Sequence, residues 1–294
     1  MSDAAKQIAY PSSADGTEQP ALFYAPETKE PVPLLVGLHT WSVSYTDPAN
    51  EPYAQWCIEH GWGVILPDFR GPNNRPEATG SELVVEDILS AVEYAKGRAR
   101  VDARRVYLVG ASGGGYTAFL MAGRAPDVWA GVSAWVPIAD LRAWHEECTK
   151  AGRVYAQMIE ASCGGPPGTD PPTDLQYAKR SPATYLRNAR GVPLDINAGI
   201  LDGHTGSVPI SHSLVAFNLV AEEADRISPE DIRHFVEKAE TPPHLRATFS
   251  DPDYGRAILF RRSSGNARIT IFDGGHEILY NAALGWLARQ AKGA

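Results

Sequence analysis

Short apolar runs alternate with longer segments of helical spacing along this chain of 294 residues. The runs, each bounded by Gly, Pro or Asp, are VPLLVGL, GVILPD, VYLVG, GVSAWVP, LDINAGI and ARITIF. Continuous apolar runs of this length are typical of strands buried on both faces of a sheet. In SELVVEDILSAVEYAKGRA, between two of the runs, apolar residues recur at helical spacing, namely Leu83, Val84, Ile88, Val92 and Tyr94. The alternation predicts an α/β protein with a mainly parallel central sheet and helices on both faces, led by an antiparallel hairpin over IAYPSS and ALFYAP.

Two stretches interrupt this alternation of strands and helices. Residues 140–190, which contain CGGPPGTDPPTD, are too long for a single crossover, and residues 222–266 contain the helical pattern SPEDIRHFVEKAE. Long insertions of this kind are often lids or substrate-binding elements, and about as often surface decoration. Since the chain has no internal repeat and no low-complexity linker, we interpret residues 1–294 as one domain with two insertions that are candidate lid elements.

Composition and charge narrow the range of partners. The hydrophobic share of 44% and the charged share of 21% are ordinary for a globular protein with a sizeable core. A formal net charge of −8 argues against a nucleic-acid partner, and the absence of an apolar run of about eighteen residues argues against a membrane span. The opening MSDAAKQIAYPSS lacks the apolar core of a secretory signal. It predicts a cytoplasmic protein, or a secreted or periplasmic one if a leader has been removed, and these features leave the oligomeric state open.

The cysteines Cys57, Cys148 and Cys163 are odd in number and lack the spacing of a metal site. We therefore predict no metal, and we expect three free buried thiols, because a free cysteine commonly behaves as a small buried apolar residue. A disulfide between Cys148 and Cys163 stays open as the alternative, if two helices bring these residues together.

One serine, Ser112, stands between glycines in the stretch GASGG, directly after the strand RRVYLV and directly before the helical YTAFLMAGRA. A strand that turns sharply into a helix strains the corner residue and exposes its hydroxyl. The N-terminus of that helix aims free N–H groups at any negative charge that forms beside the serine. A phosphate loop would need a lysine that is missing here, and a dinucleotide fingerprint would lie earlier in the chain. Ser112 is therefore predicted to be a nucleophile.

A nucleophilic serine needs a base, and the base needs an acid that orients it. The last strand, ARITIF, is followed by DGGHEI, and the strand before it, LDINAGI, is followed by LDGHTGSVP. In a parallel sheet these two loops reach the same edge as Ser112, so Asp202 and His276 complete the required order of serine, acid and histidine. We interpret His204, a nearby rival, as a wall of the pocket or a partner of the loop.

The oxyanion of a tetrahedral intermediate needs two hydrogen-bond donors. One is predicted to be the backbone N–H of Gly113, the residue after the serine. The other is expected in the loop GLHTWSVSYTDP, where His39 is similar to the histidine that opens an HGGG-type loop, although the glycines are missing. Thr40 or Trp41 then offers the second N–H. We favour Trp41, and its alternative interpretation as a core aromatic residue stays open.

These motifs resemble the α/β-hydrolase fold and, more narrowly, the catalytic domain of the prolyl oligopeptidase family. The narrower resemblance rests on VDARRVYLVGASGGGYTAFLMAGRAPDVWAGVSAWVPIADL, GWGVILPDFRG, RSPATYL and DGHTGSVP, and it covers most of residues 30–290. Peptidases of this family carry a large N-terminal β-propeller, for which this chain has no room. The loop after Asp202 is also longer than usual, with His204 and Thr205 inserted. Compact relatives are often esterases, including deacetylases of polysaccharides, so the resemblance implies an ester hydrolase.

We therefore expect a serine carboxylic-ester hydrolase that works through an acyl-enzyme and needs no cofactor. The expected partner is a small-molecule or carbohydrate substrate, such as an acetyl ester. The first alternative is a peptidase or aminopeptidase of the same family, for which Glu146 and Glu147 are poor candidates as an amine anchor, since adjacent helical residues point in different directions. The alternative from another class is a non-catalytic binding module on the same fold.

Four residues are candidates for the substrate pocket: His39, Trp135, Trp144 and His204. They lie near strand ends or insertions at the predicted catalytic edge. Stacking of sugar rings on the two tryptophans would suit a carbohydrate ester. Packing in the core or under a lid is the alternative interpretation for each tryptophan.

Overall fold

The structure is a computed structural model and describes residues 4–293. Over these residues the chain forms one nine-stranded sheet with the order β1-β2-β4-β3-β5-β6-β7-β9-β8. The strands are β1 (Lys6–Pro11), β2 (Glu18–Tyr24), β3 (Val32–Leu38), β4 (Gly63–Pro67), β5 (Val101–Ala111), β6 (Gly131–Trp135), β7 (Leu194–Gly199), β8 (Ile258–Ser264) and β9 (Ala267–Phe272). Neighbours from β4 to β9 pair in parallel, whereas β1 with β2, β2 with β4 and β8 with β9 pair antiparallel. The predicted α/β-hydrolase sheet and its leading hairpin are confirmed.

Helices cover both faces of this sheet. They are α1 (Glu51–Glu59), α2 (Glu82–Arg98), α3 (Gly113–Arg124), α4 (Leu141–Lys150), α5 (Tyr155–Cys163), α6 (Pro171–Arg180), α7 (Ser211–Val220), α8 (Pro229–Lys238) and α9 (Tyr280–Ala288). The α2 helix begins where the hydroxyl of Ser81 accepts a hydrogen bond from the Val84 amide at 3.3 Å, a common N-terminal cap. The α3 helix begins three residues before its predicted start, because the chain enters it directly from the corner at Ser112. No helix among residues 4–293 has the length and apolar character needed to cross a membrane.

Each face of the sheet has its own hydrophobic core. In β5, Val106 and Leu108 belong to the core that includes residues of α2, α3 and α7, whereas Tyr107 and Val109 belong to the core that includes residues of α1 and α9. Full burial of a side chain such as valine or leucine stabilises a fold by about 1.5–3 kcal/mol, so both faces of a central strand favour apolar residues. This explains why the predicted runs are continuously apolar instead of alternating with polar residues.

The first insertion, residues 140–190, packs against the body of the protein through a third apolar cluster. Helices α4, α5 and α6 contribute Trp144, Ile159 and Tyr177 to it. The same cluster contains Trp41 from the loop after β3 and Tyr116 from α3. The insertion is therefore continuous with two elements that flank Ser112, and its role as a lid stays a prediction.

The second insertion, residues 222–266, supplies α8 and an edge strand. Phe235 of α8 is fully buried in the core beside α7, and β8 pairs with β9 at the edge of the sheet. The sequence pattern did not predict β8, because this strand buries Ile258 and Phe260 but carries Arg261 and Arg262 in less buried positions. An edge strand with polar residues lacks the continuous apolar run of a central strand.

The three cysteines, Cys57, Cys148 and Cys163, are free and buried, as expected. Burial raises the pKa of Cys148 to about 12 and that of Cys163 to about 11. Burial likewise raises the pKa of Cys57 well above its ordinary range. All three side chains therefore stay protonated and unreactive near neutral pH.

Candidate active site

Loops from the carboxyl ends of four parallel strands meet at one edge of the sheet. Trp41 follows β3, Ser112 follows β5, Asp202 follows β7 and His276 follows β9. His276 contacts both Ser112 and Asp202, although the three residues are far apart in sequence. Their meeting follows from the parallel arrangement, which places the ends of all these strands at the same edge.

Ser112 occupies the corner between β5 and α3 with strained backbone angles, φ 55° and ψ −118°. Such a conformation costs a non-glycine residue about 1–3 kcal/mol and persists only where the surroundings enforce it. Here the Ser112 amide donates to the carbonyl of Trp135 at 2.9 Å, and the Ser112 carbonyl accepts from the Tyr116 amide at 2.8 Å. The corner is therefore held from both sides, which leaves the hydroxyl free for other contacts.

The side chains of Ser112, His276 and Asp202 form a continuous hydrogen-bonded chain. His276 Nε2 lies 2.8 Å from Ser112 Oγ, and His276 Nδ1 lies 2.8 Å from Asp202 Oδ2. The other carboxylate oxygen of Asp202 accepts from the amides of Gly203 at 3.0 Å and Val208 at 3.2 Å. Because an ionised carboxylate can only accept, Nδ1 carries the proton and Nε2 is left to accept from the serine hydroxyl. This arrangement can deprotonate Ser112 and return the proton to a leaving group.

The backbone segments that carry the predicted oxyanion donors Gly113 and Trp41 meet beside Ser112. A Cβ atom built on Gly113 would overlap the backbone nitrogen and Cα of Trp41, so these two backbone segments are in direct contact. Of the two predicted donors in the loop after β3, Trp41 is thus the one whose backbone lies beside Gly113. Trp41 is also buried against Tyr116 and Trp144, as its alternative interpretation as a core aromatic residue expects, and its role as an oxyanion donor stays a prediction.

His39 does not line the pocket, contrary to the prediction. Its ring is buried and stacks on Phe69 with 4.0 Å between ring centroids. The ring nitrogens lie 2.9 Å from the Thr40 carbonyl and 2.8 Å from the Asp68 carbonyl. Burial lowers the pKa of His39, whereas its two carbonyl partners act in the opposite direction. His39 therefore fastens the loop after β3 to the turn after β4, which the sequence pattern did not indicate.

The prediction that Trp135 and Trp144 line the substrate pocket is also wrong. Trp135 is fully buried in the core near α9, where its Nε1 donates to Ser133 at 2.9 Å, because its position in β6 faces that side of the sheet. Trp144 is 1% exposed and packs edge-on against Trp41. Its Nε1 donates to the carbonyl of Ser207 at 3.0 Å. Neither indole presents a face on which a sugar ring could stack.

The acid loop, which we define as residues 202–208, includes His204, and the ring of His204 anchors this loop as predicted for a partner of the loop. Its Nε2 lies 2.7 Å from the carbonyl of Val236 at the end of α8, so it links the acid loop to the second insertion. Ser207, which sequence reasoning missed, places its hydroxyl 3.4 Å from His276 Nε2. Only the length of the loop hinted at such a contact. Within residues 4–293, no group of three or more His, Cys, Asp or Glu side chains is arranged to bind a metal ion.

The sequence profile of the prolyl oligopeptidase family matches residues 48–225, more than half of the chain. The chain belongs to the prolyl oligopeptidase family. It is a serine hydrolase of that family, and Ser112 and Asp202 lie within the matched residues. His276 lies beyond them, and the structure brings it to the other two.

Two relatives of this family member come from Oryza sativa subsp. japonica. Acylamino-acid-releasing enzyme 2 is 23% identical over an alignment of 245 residues that covers 74% of this chain and 30% of the rice enzyme. Acylamino-acid-releasing enzyme 1 is 27% identical over an alignment of 138 residues that covers 44% of this chain and 18% of that enzyme. The chain thus spans less than a third of the length of either relative.

Solved structures of similar fold include other enzymes of more than twice this length. An acylaminoacyl peptidase in complex with Z-Gly-Gly-Phe-chloromethyl ketone superposes with a TM-score of 0.65 at 17% identity, over 98% of this chain and 42% of that one. An acylaminoacyl peptidase from Pyrococcus horikoshii gives 0.59 at 17% identity, over 74% and 34%. A puromycin hydrolase gives 0.59 at 16% identity, over 96% and 37%. At these identities the likeness extends to the fold alone.

Proposed function

We propose that this serine hydrolase is a peptidase that cleaves the amide bond after an N-acylated amino acid. The observation that carries the proposal is the unbroken hydrogen-bonded chain from Ser112 through His276 to the buried Asp202. Ser112 attacks the amide carbonyl while His276 Nε2 takes its proton, and Asp202 holds the imidazole in the required tautomer. The same proton then passes to the departing amine, and water clears the acyl-enzyme.

The oxyanion of each tetrahedral intermediate is stabilised by the backbone N–H groups of Gly113 and Trp41. Their direct backbone contact supports this role, and so does the N-terminus of α3, whose dipole favours negative charge. Loss of one such donor typically costs a factor of about 10²–10³ in kcat. The Asn73 amide donates to the Trp41 carbonyl at 2.8 Å, which helps to fix the loop that carries this donor.

Two observations favour a substrate with a blocked amine over one with a free α-amine. The relatives are acylamino-acid-releasing enzymes and acylaminoacyl peptidases by name. A free amine would need acidic side chains as an anchor, and the candidates Glu146 and Glu147 do not form one. Glu147 Oε2 lies 2.9 Å from His212 Nε2, where it ties α4 to α7, and Glu146 is exposed on α4.

The carbohydrate-esterase hypothesis loses its specific support, because the tryptophans that suggested sugar stacking, Trp135 and Trp144, are buried. Hydrolysis of simple esters remains compatible with the same acyl-enzyme chemistry, since an ester is cleaved more easily than an amide by the same groups. We therefore expect activated esters to be accepted as well, without being the preferred class.

The test compares the wild type with Ser112→Ala on three substrates: N-acetyl-alanyl-p-nitroanilide, alanyl-p-nitroanilide and p-nitrophenyl acetate. We expect Ser112-dependent release from the acylated anilide and the ester, with far slower release from the free-amine anilide. Release from the ester alone would favour an esterase. A fluorophosphonate probe labels only an activated serine, so a wild type that is neither labelled nor active would favour the non-catalytic alternative.

A further inference from the structure

A second hydroxyl group lies beside the nitrogen that transfers the proton. Ser112 Oγ is 2.8 Å from His276 Nε2, and Ser207 Oγ is 3.4 Å from the same atom. The Ser207 side chain is half-buried and the His276 side chain is 22% exposed, so solvent reaches this pair of side chains. Catalytic hydrogen bonds are often long in a free enzyme and shorten when substrate binds.

The backbone on either side of this hydroxyl is fixed by the first insertion. The Ser207 carbonyl accepts from Trp144 Nε1 at 3.0 Å, and the preceding carbonyl, of Gly206, accepts from the guanidinium of Arg153 at 2.6 Å. The next amide, of Val208, donates to Asp202 Oδ1 at 3.2 Å. Side chains thus hold three successive residues of the acid loop. These contacts fix the backbone position from which the Ser207 hydroxyl reaches His276.

A hydroxyl at this position has a use in two steps of the proposed reaction. In the first step the proton of Ser112 moves to His276 Nε2 as the Ser112 Oγ–carbon bond forms. The carbon–nitrogen bond then breaks, and the amine leaves with the proton from Nε2. Water next adds to the acyl carbon and gives its proton to Nε2, after which the Ser112 ester bond breaks and the proton returns to Ser112. The departing amine and the entering water must both sit beside Nε2, and the acylated Ser112 no longer has a hydroxyl to orient them.

We propose that Ser207 is a further catalytic residue, whose hydroxyl holds the departing amine and then the entering water against Nε2 of His276. Ser207 keeps its own proton throughout and acts only through hydrogen bonds. The proposal rests on the proposed function, because it assigns to Ser207 a part in that reaction.

The consequence is a selective dependence on the leaving group. A p-nitrophenolate leaves without taking a proton, so acylation by p-nitrophenyl acetate does not need Ser207. An amine must be protonated as it leaves, and water must be deprotonated as it enters. Removal of the hydroxyl should therefore slow acylation by anilides and hydrolysis of the acyl-enzyme, each by about tenfold, the loss expected for one hydrogen bond made in the transition state.

The experiment measures wild type, Ser207→Ala, Ser207→Thr and Ser42→Ala. The burst of p-nitrophenol from p-nitrophenyl acetate gives the rate of acylation, and loss of the acetyl group, followed by intact-protein mass spectrometry, gives the rate of deacylation. Turnover of N-acetyl-alanyl-p-nitroanilide gives the amide reaction. Ser42 is the matched control, because it is an exposed serine in the loop after β3 whose hydroxyl contacts the sulfur of Met158 at 4.0 Å.

We expect Ser207→Ala to keep the burst rate and to lose about tenfold in deacylation and anilide turnover, with Ser207→Thr restoring both and Ser42→Ala unchanged. Equal rates for Ser207→Ala and the wild type in all three assays would overturn the proposal and leave the proposed function standing. A uniform loss that includes the burst would also overturn it, since that pattern indicates a general disturbance of His276. A wild type that neither releases p-nitrophenol from p-nitrophenyl acetate nor becomes acetylated on Ser112 would overturn both proposals.

Discussion

Gly206 is the residue at which a single added methyl group should damage the proposed catalytic chain without unfolding the protein. A Cβ atom built on Gly206 would lie 2.6 Å from the Cβ of His276 and even closer to Oδ1 of Asp202. Both distances are shorter than real contacts of a Cβ atom. The backbone of Gly206 lies outside the left-handed region, so alanine itself can adopt the conformation. The expected effect of Gly206→Ala is therefore a steric clash of the added methyl group with the acid and the base.

The magnitude follows from the displacement that the methyl group requires. To reach ordinary contact of about 3.5 Å, the Asp202 carboxylate must move by about 1 Å or more. This movement breaks its hydrogen bonds from the Gly203 and Val208 amides and shifts its bond to His276 Nδ1. A displacement of this size costs about 10²-fold in rate, and complete loss of the orienting acid costs about 10⁴-fold. We expect Gly206→Ala to lower kcat by between about 10² and 10⁴, which is about 3–5 kcal/mol of transition-state stabilisation.

The assay is kcat on p-nitrophenyl acetate, with thermal unfolding measured on the same samples. Gly275→Ala is the matched control, because Gly275 adjoins His276 and a Cβ there would meet Thr205 Oγ1 at an ordinary 3.5 Å. This control should keep kcat within about twofold of the wild type, since surface changes without steric conflict are nearly neutral. A Gly206→Ala enzyme with the kcat of the wild type would refute the reasoning, because the acid would then not need its present position.

Further predictions concern stability and the thiols. Arg70 donates to the fully buried carboxylate of Asp87 at 2.7 Å. Arg70→Met should therefore lower the free energy of unfolding, measured in urea, by about 3–5 kcal/mol. A loss below about 1 kcal/mol would contradict a buried ion pair. A thiol reagent should modify Cys57, Cys148 and Cys163 when the protein is unfolded under non-reducing conditions, and it should react slowly with the native protein. A single reactive thiol after unfolding would indicate a disulfide. The pKa of Cys148 is raised to about 12 in the fold, so an unfolded chain loses this proton first as the pH rises above about 9. The melting temperature should accordingly fall between about pH 9 and 12, and it should fall less steeply in Cys148→Ala. An equally steep fall in Cys148→Ala would show that Cys148 does not cause it.

The sequence determined the parts of this protein that depend on neighbouring residues. Six apolar runs became central strands, because a strand covered on both faces favours apolar side chains at every position. The corner at Ser112 is equally local, since glycines flank a serine between a strand and a helix. The order of Ser112, Asp202 and His276 then followed from where parallel strands end. The sequence pattern did not predict edge strand β8, because only some of its residues are buried and arginines interrupt its apolar residues.

Only the tertiary structure decided what surrounds the catalytic chain. The burial of Trp135 depends on which face of β6 it occupies, and that of Trp144 depends on how the first insertion packs against Trp41. The position of the Ser207 hydroxyl beside His276 depends on a loop whose shape is fixed by side chains from distant parts of the chain, including Arg153. Such contacts join residues far apart in sequence. No local pattern encodes them, because their free energy becomes available only once the sheet has brought its strand ends together.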